Sequence, residues 1–212
     1  MLDLYLIRHG ECVANTQADR IGGQTNESPL TPLGEAQAVY LGRRLARNRI
    51  RFDLVFSSSA ARAIATAGIV CPYAVFPLEK IIICPDLLEL NQGDWQGKKR
   101  SDTYTVECLK DMNLLHPDFA APNGESQRIV EHRMFRWLHE FNLPATGLKK
   151  KTTTAAVFGH GMAFKCFLRG ILNSSPVMTF KFDIDNTSVT RLTFGREGWR
   201  VKTINDTAHL RS

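Results

Sequence analysis

A short apolar run near the start of the chain, residues 4–7, places the tightest constraint on the fold. Four such residues in a row, without polar alternation, are typical of a strand buried on both faces of a helix-covered sheet. The run ends at Arg8 and His9, and Gly10 then permits a sharp turn that a Cβ atom would resist. Because ligands bind at the carboxyl ends of strands in open α/β sheets, the sequence predicts a guanidinium and an imidazole at a binding edge.

Two later stretches repeat this design of a core strand followed by a cation or an imidazole. Residues 53–57 have a strand pattern, and Arg62 falls in the first turn of the helix that follows. Free backbone N–H groups and the helix dipole favour an anion at such a position. Residues 152–159 have a further strand pattern, β-branched and apolar, that leads into His160. We therefore expect the side chains at these three strand ends to meet on one rim of the sheet.

Strand patterns alternate with helix patterns over most of the chain, which predicts a mainly parallel sheet with helices on both faces. The first helix should begin with Thr31 as its cap and Pro32 in its first turn. Apolar residues at helical spacing form its expected core face: Leu33, Ala36, Tyr40, Leu41 and Leu45. Ser58 or Ser59 should cap the second helix, and residues 196–198 should form a hairpin turn near the end of the chain.

The chain length suits one domain, residues 1–212, with a cap-like insertion at about 98–123. The insertion is the least regular part of the sequence, and we expect it to lie over the strand ends as a lid or specificity cap. Residues 148–151 have the pattern of an exposed basic connection.

Composition narrows the class of protein. A net charge of +6 attracts anions, which include nucleic acid, an acidic membrane surface and small phosphorylated substrates. The arginine-rich exit of the first helix is interpreted as a solvated face, so no nucleic-acid partner is expected. Five scattered cysteines favour a reducing cytoplasm over a disulfide framework or a structural zinc site. No stretch reaches transmembrane length and no signal peptide is present, so we expect a cytoplasmic monomer or homodimer without a membrane partner.

Two arginines and two histidines on one rim would form a phosphate pocket, since guanidinium groups bind phosphate oxygens in pairs and stay charged. The sequence has no acidic cluster for magnesium, so no metal and no other cofactor is expected. One imidazole can attack phosphorus in line and form a phosphohistidine. A carboxyl group must then protonate the leaving alkoxide and later activate water. Glu89, which lies among leucines and should be partly buried, is the best candidate by position.

Further short motifs follow one another along the chain. They comprise residues 6–11, Pro29-Leu30-Thr31 with Gly34 and Gln37, Ser57-Ser58 with Arg62, Ala63, Thr66 and Ala67, residues 89–93 with Trp95 and Gly97, Gly124-Glu125-Ser126, Gly159-His160-Gly161, and Asn186-Thr187-Ser188-Val189. In this order they resemble branch 1 of the histidine phosphatase superfamily, the group that contains the cofactor-dependent phosphoglycerate mutases. The resemblance covers nearly the whole chain.

The resemblance implies a fold and a set of roles. The fold would be α/β, a three-layer α/β/α, doubly wound, mostly parallel sheet with one antiparallel strand. His9 would be the nucleophile that becomes phosphorylated, and Glu89 would be the acid and base. Four side chains would bind the phosphoryl group: Arg8, Asn15, Arg62 and His160.

The sequence departs from the family pattern at Cys12, where serine or threonine is usual, at Gln96, where glutamate is common, and at Met162, where a small residue often follows. None of these is a core catalytic position, so the departures concern the substrate rather than the chemistry.

Three functions remain open on the sequence. The favoured one is a metal-independent phosphatase for a small phosphorylated metabolite. The second is a cofactor-dependent phosphoglycerate mutase, but the stretch after Glu89 is short and its basic residues are Lys98, Lys99, Arg100 and Lys110. The third is a non-catalytic module that binds anions or nucleic acid. The presence of both a nucleophile and a carboxyl group argues against that module, since binding alone needs no proton donor.

Overall fold

The computed structural model describes residues 1–141 and 152–211, and the basic connection expected at 148–151 lies outside these residues. Within them, six strands form one sheet in the order β3-β2-β4-β1-β5-β6. The strands are β1 (Leu2–Arg8), β2 (Leu54–Ser57), β3 (Ile82–Ile83), β4 (Thr153–Gly159), β5 (Val189–Gly195) and β6 (Gly198–Asp206). β1 to β4 run parallel, whereas β5 is antiparallel to both of its neighbours. The predicted mostly parallel sheet with one antiparallel strand is therefore confirmed.

The α-helices in the described residues are α1 (Pro32–Arg47), α2 (Ala61–Val70), α3 (Arg100–Thr103), α4 (Val106–Leu115), α5 (Gln127–Glu140) and α6 (Gly161–Ile171). Two apolar clusters lie on opposite faces of the sheet. Leu4 and Leu6 pack in the cluster with α5 and α6, whereas Tyr5 and Ile7 pack in the cluster with α1 and α2. Successive side chains of β1 thus point into two cores, as a strand covered on both faces requires. The doubly wound α/β/α arrangement is confirmed.

Helix α1 begins as predicted, with the Thr31 hydroxyl accepting a hydrogen bond from the Gly34 N–H at 3.0 Å. Its predicted core face is partly wrong, because Leu33 and Tyr40 are exposed while Leu41 and Leu45 are buried. The helix instead turns its small residues inward: Gly34, Ala38 and Gly42 are buried. These small residues allow α1 to approach neighbouring backbone and rings closely. The apolar spacing had instead suggested large side chains on this face.

Helix α2 has no side-chain cap, so the cap predicted at Ser58 or Ser59 is wrong. The residue at the cap position is Ala60. The Ser58 hydroxyl lies 2.8 Å from Nε2 of His160, and it also accepts the Ala60 N–H at 3.3 Å. The Ser58 hydroxyl, which the local sequence predicts as a helix cap, therefore binds His160, 102 residues further along the chain.

The carboxyl ends of three neighbouring parallel strands lie side by side. Arg8 at the end of β1 is in register with Gly159 at the end of β4, and Ser57 at the end of β2 is in register with Phe158. Residues 98–123 fold as α3, α4 and a loop near this edge. The hairpin predicted at 196–198 joins β5 to β6. Within the described ranges, no helix is long and apolar enough to cross a membrane.

Candidate active site

His9 follows the last residue of β1 and is 3% exposed. Its backbone N–H donates to the Gly159 carbonyl at 3.0 Å, which extends the pairing of β1 with β4 by one residue. The next N–H, that of Gly10, donates to the Thr66 hydroxyl at 3.0 Å. A Cβ atom on Gly10 would lie 2.4 Å from the Gly34 carbonyl oxygen, so the turn needs glycine for this close approach to α1.

The hydrogen bonds of the His9 ring define its tautomer. Nδ1 lies 2.7 Å from the Gly10 carbonyl oxygen, which can only accept, so Nδ1 carries the proton. Nε2 accepts the Nε–H of Arg62 at 3.2 Å. Burial lowers the pKa of His9 well below its usual 6.5, and the positive charges of Arg8 and Arg62 lower it further. The ring is therefore neutral, with its lone pair on Nε2.

Arg62 comes from the first turn of α2 and is 3% exposed. Its terminal nitrogens donate to the carbonyls of Thr25 at 2.6 Å and Gly23 at 3.3 Å, so the guanidinium is fixed in one orientation. Arg8 donates to the Ile184 carbonyl at 2.6 Å, but its buried Nε has no partner among the described residues. Burial lowers the pKa of both arginines, yet a guanidinium remains protonated at neutral pH. Two fixed positive charges therefore flank the imidazole.

His160 precedes α6 and is fully buried. Its ring centroid lies 5.1 Å from that of His9. Burial lowers the pKa of His160 well below 6.5, and the neighbouring His9 and Arg62 act in the same direction. Nε2 contacts the Ser58 hydroxyl, whereas Nδ1 has no partner among the described residues. A buried ring nitrogen without a partner is unusual and is typical of a position that a ligand completes.

Glu89 lies across the start of α6. Its Oε1 accepts the backbone N–H groups of Leu90 at 2.8 Å and Ala163 at 2.9 Å, and Oε2 accepts the Met162 N–H at 3.1 Å. Two of these donors are free N–H groups in the first turn of a helix, where a carboxylate is favoured. The predicted partial burial of Glu89 is confirmed, because the residue is half-buried.

A buried arginine holds the Glu89 segment from behind. Arg133 on α5 donates to the carbonyls of Asp86 at 2.7 Å and Glu89 at 2.9 Å, and it pairs with both carboxylate oxygens of Glu125 at 3.0 Å. Glu125 in turn accepts the Asn91 N–H at 3.0 Å. This network fixes the backbone on both sides of Glu89.

Asn15 occupies the edge of the site. Its Oδ1 accepts the Cys12 N–H at 3.2 Å and the Nδ2–H of Asn186 at 3.2 Å. Asn186 also donates to the His9 carbonyl at 3.0 Å. Asn15 itself is exposed and lines the cavity beside His9.

The predicted residues meet at one cavity of about 440 Å³. Five of the six line it: Arg8, His9, Asn15, Arg62 and Glu89. His160 lies behind this surface and contacts the His9 ring from the interior. The insertion supplies the opposite wall, which includes Arg100, Tyr104, Leu109, Met112 and Phe119.

Sequence reasoning missed the residues that position the site. Thr66 was noted only within a motif, Ser58 was predicted as a helix cap, and Arg133 was not singled out. A signal for Arg133 does exist, since it interrupts an apolar helical stripe that includes Val130 and Trp137. A charged residue on such a stripe must find buried partners.

No group of three or more His, Cys, Asp or Glu side chains in the described part of the chain could hold a metal ion. Arginine side chains supply the positive charge that lines this cavity: Arg8, Arg62 and Arg100.

The chain is similar to known proteins over nearly its whole length. The sequence profile of the histidine phosphatase superfamily (branch 1) matches residues 4–207. The probable phosphoglycerate mutase GpmB of Cronobacter sakazakii is 30% identical, over 99% of this chain and 95% of that protein. The protein of the same name from Yersinia pestis is 32% identical over the same shares.

Solved structures of the same fold align over nearly the full length. Bacillus stearothermophilus YhfR has a TM-score of 0.82 and 26% identity, and the match covers 99% of this chain and all of that one. A phosphoserine phosphatase from Entamoeba histolytica, solved as a mutant with phosphoserine, has a TM-score of 0.81 and 25% identity over 99% of this chain and 100% of its own. The chain therefore belongs to branch 1 of the histidine phosphatase superfamily.

Proposed function

We propose that the protein is a phosphomonoester hydrolase that acts on a small phosphorylated metabolite through a phosphohistidine intermediate. The observation that carries the proposal is the neutral His9 imidazole, whose Nε2 lone pair meets the Arg62 guanidinium inside the cavity that Glu89 also lines. A nucleophilic imidazole must be neutral at the attacking nitrogen and oriented through the other one. His9 meets both conditions.

In the first step, Nε2 of His9 attacks phosphorus in line, so a P–N bond forms as the ester P–O bond breaks. The Arg62 Nε–H, which contacts Nε2 in the free protein, is then placed to bind a phosphoryl oxygen. The unpartnered Nε of Arg8 supplies a further donor. His160 is buried beside the His9 ring, and its Nδ1 donates to a phosphoryl oxygen that reaches this ring, while the Ser58 hydroxyl donates to its Nε2. These groups neutralise the equatorial oxygens as charge moves.

Glu89 completes the reaction. Its carboxyl group gives a proton to the leaving alkoxide in the first step, and the resulting carboxylate takes a proton from water in the second. The water oxygen then attacks phosphorus, the P–N bond breaks, and His9 is regenerated with release of inorganic phosphate. Oε2 accepts a single N–H, at 3.1 Å, so this oxygen has room to carry the proton.

A mutase is the second candidate, because the curated relatives bear the name probable phosphoglycerate mutase. A mutase must hold the second acid group of a sugar acid while the phosphoryl group moves. Of the basic residues at 98, 99, 100 and 110, Arg100 alone lines the cavity among these described positions. Hydrolysis is therefore favoured over transfer back to a sugar acid.

Several features of the protein follow as parts of the proposal. The chain is one histidine phosphatase domain in which residues 98–123 act as a specificity cap. The five cysteines are free and four of them are buried, as suits a reducing cytoplasm. The partner is the small phosphorylated substrate, without nucleic acid or membrane, and the protein is a monomer or homodimer. Light scattering of the purified protein tests the oligomeric state.

The experiment compares the wild type with His9→Ala on p-nitrophenyl phosphate, without 2,3-bisphosphoglycerate. The wild type should release phosphate and form one acid-labile phosphoryl group per chain, and His9→Ala should do neither. Equal, uncatalysed rates for both proteins would reject the enzyme and favour the binding module. A second assay uses 3-phosphoglycerate as the substrate, with the bisphosphate present. Faster conversion to 2-phosphoglycerate than release of inorganic phosphate would favour the mutase.

A further inference from the structure

The part of the cavity away from His9 is lined by large apolar side chains. Four come from residues 98–123 and one from the 3-10 helix Pro176–Phe180, and we call them the apolar wall: Tyr104, Leu109, Met112, Phe119 and Phe180. Trp95 packs behind the wall, with ring centroids 5.9 Å from Tyr104 and 5.6 Å from Phe119. The wall is thus a supported surface and faces the same space as the phosphate-binding groups.

Two residues of the apolar wall are strongly exposed to solvent. Leu109 is 45% exposed and Phe180 is 56% exposed, although both border a concave site. Exposed apolar side chains that line the same cavity as polar reacting groups are typical of a ligand-binding cleft. Covering one such wall with a phenyl-sized group gains binding free energy in proportion to the area removed from water.

Charge on this side of the cavity is sparse. The basic side chains that line it away from Arg8, His9 and Arg62 are, in the described part of the chain, Arg100 and His116. Burial lowers the pKa of His116, and the charge of Arg169 lowers it further, so the ring is neutral at pH 7. Arg100 is exposed, donates to the Ala18 carbonyl at 3.1 Å and lies 5.8 Å from the Tyr104 ring centroid. No buried cation therefore stands ready for a second acid group.

The acidic residue on this side is also neutralised. Glu125 lines the cavity, but both of its carboxylate oxygens bind Arg133. Apart from the solvent-exposed Arg100, the described residues on this side offer a substrate no unpaired charge, whereas two buried guanidinium groups lie beside His9. The cavity combines a strongly anion-binding end with an apolar one.

We propose that the substrate is a phosphomonoester whose alcohol part carries an aromatic or similarly apolar body and no second acid group. This inference rests on the proposed hydrolase function and defines its substrate class. The phosphoryl group binds beside His9, and the body of the alcohol covers Leu109 and Phe180.

Three alkyl phosphates of similar leaving-group basicity test the inference: propyl, 3-phenylpropyl and 3-carboxypropyl phosphate. We expect kcat/KM for 3-phenylpropyl phosphate to exceed that for propyl phosphate by about tenfold to a hundredfold, from burial of the phenyl group. The carboxypropyl ester should not exceed the propyl ester. Since all three are primary alkyl esters, differences in proton transfer to the leaving oxygen stay small.

Two variants locate the effect, and a third is the matched control. Leu109→Asn and Phe180→Ser should each lower the ratio of phenylpropyl to propyl kcat/KM by about threefold or more, as expected for loss of part of an apolar contact. Both residues are exposed, so folding should survive. Leu114→Asn changes the same residue type on the same helix at a position that is 80% exposed and outside the cavity. Its ratio should equal that of the wild type.

The outcomes separate the two proposals. Turnover of all three esters at similar kcat/KM, or a preference for the carboxypropyl ester, overturns the substrate class and leaves the hydrolase intact. Equal effects of Leu109→Asn and Leu114→Asn on the ratio also overturn it. Absence of phosphate release from every ester, including p-nitrophenyl phosphate, overturns the hydrolase and with it the substrate class.

Discussion

The Nε–H of Arg62 meets the Nε2 lone pair of His9 across 3.2 Å, in the interior of the protein. Both side chains are tethered by backbone carbonyls, Arg62 through Thr25 and His9 through Gly10. The contact between His9 and Arg62 therefore depends on the hydrogen bonds that hold each side chain to a backbone carbonyl. It makes the arginine a positioning group for the imidazole before any ligand enters.

Replacing Arg62 with lysine keeps the charge but removes the planar set of donors that binds His9, Thr25 and Gly23 at once. We expect kcat/KM for p-nitrophenyl phosphate to fall by about 10²- to 10³-fold, the usual effect of losing one donor to a transition state. The control is Arg43→Lys on the exposed side of α1, which should keep full activity. A loss of less than about threefold in Arg62→Lys would contradict the assigned role.

Glu89→Gln should separate the two steps. The variant should still form the phosphohistidine from p-nitrophenyl phosphate, whose leaving group needs no proton, and then stall because water is not activated. With 3-phenylpropyl phosphate, the rate of phosphohistidine formation should fall by about 10²- to 10⁴-fold, the usual contribution of general acid catalysis. Quenched-flow measurement of the phosphoryl-enzyme checks both expectations. Equal losses in the rate of phosphohistidine formation from both esters would show that Glu89 is not the proton donor. Glu107→Gln on the exposed side of α4 serves as the control.

Gly34→Ala should damage the site without touching a reacting group. Its Cβ atom would lie 2.0 Å from the Glu11 carbonyl oxygen, so the backbone after His9 must move away from α1. We expect the free energy of unfolding to fall by about 1–3 kcal/mol, as for other overpacked sites, with a loss of kcat. Gly68→Ala on α2 has open space for its methyl group and should stabilise the protein by about 0.5–1 kcal/mol. Urea unfolding measures both values, and equal stability of the two variants would refute the expected clash.

The buried histidines predict an acid-sensitive fold. Burial holds the pKa of His9 and His160 well below 6.5 in the folded protein, whereas the unfolded chain titrates near 6.5. Below about pH 6.5, His9 and His160 bind protons in the unfolded chain but stay neutral in the folded protein. The free energy of unfolding therefore falls as the pH falls. Each histidine contributes a slope of up to about 1.4 kcal/mol per pH unit. His209, whose pKa burial lowers to about 4, acts in the same direction.

Urea unfolding between about pH 7 and pH 5 measures this dependence. His9→Gln should be less sensitive to pH than the wild type by about one proton in this range. His132→Gln, at an exposed position on α5, should keep the wild-type slope. A His9→Gln slope equal to that of the wild type would show that His9 takes up a proton as readily in the folded protein as in the unfolded chain.

The positions of His9, Arg62 and His160 could be predicted because each follows a strand pattern, and the ends of parallel strands share one edge. Glu89 was chosen for its leucine neighbours, and Asn15 only through the family resemblance. The supports of these groups could not be predicted, since they pair with partners far away in the sequence. Ser58 binds His160 instead of capping its own helix, and Arg133 binds the carbonyls of Asp86 and Glu89. The core face of α1 was misjudged for a related reason: apolar spacing marks large side chains, whereas this contact selects small ones such as Gly34.

The start of α6 holds two groups of the site. The carboxyl group of Glu89 binds the Ala163 N–H in the first turn of α6, and His160 is the residue just before that helix. A single helix end thus sets the spacing between these two groups, while residues 98–123 belong to a different part of the chain. In the proposed reaction, a change in residues 98–123 would alter the surface that meets the alcohol and leave this spacing unchanged, so the choice of alcohol and the placement of the acid relative to His160 rest on separate parts of the chain.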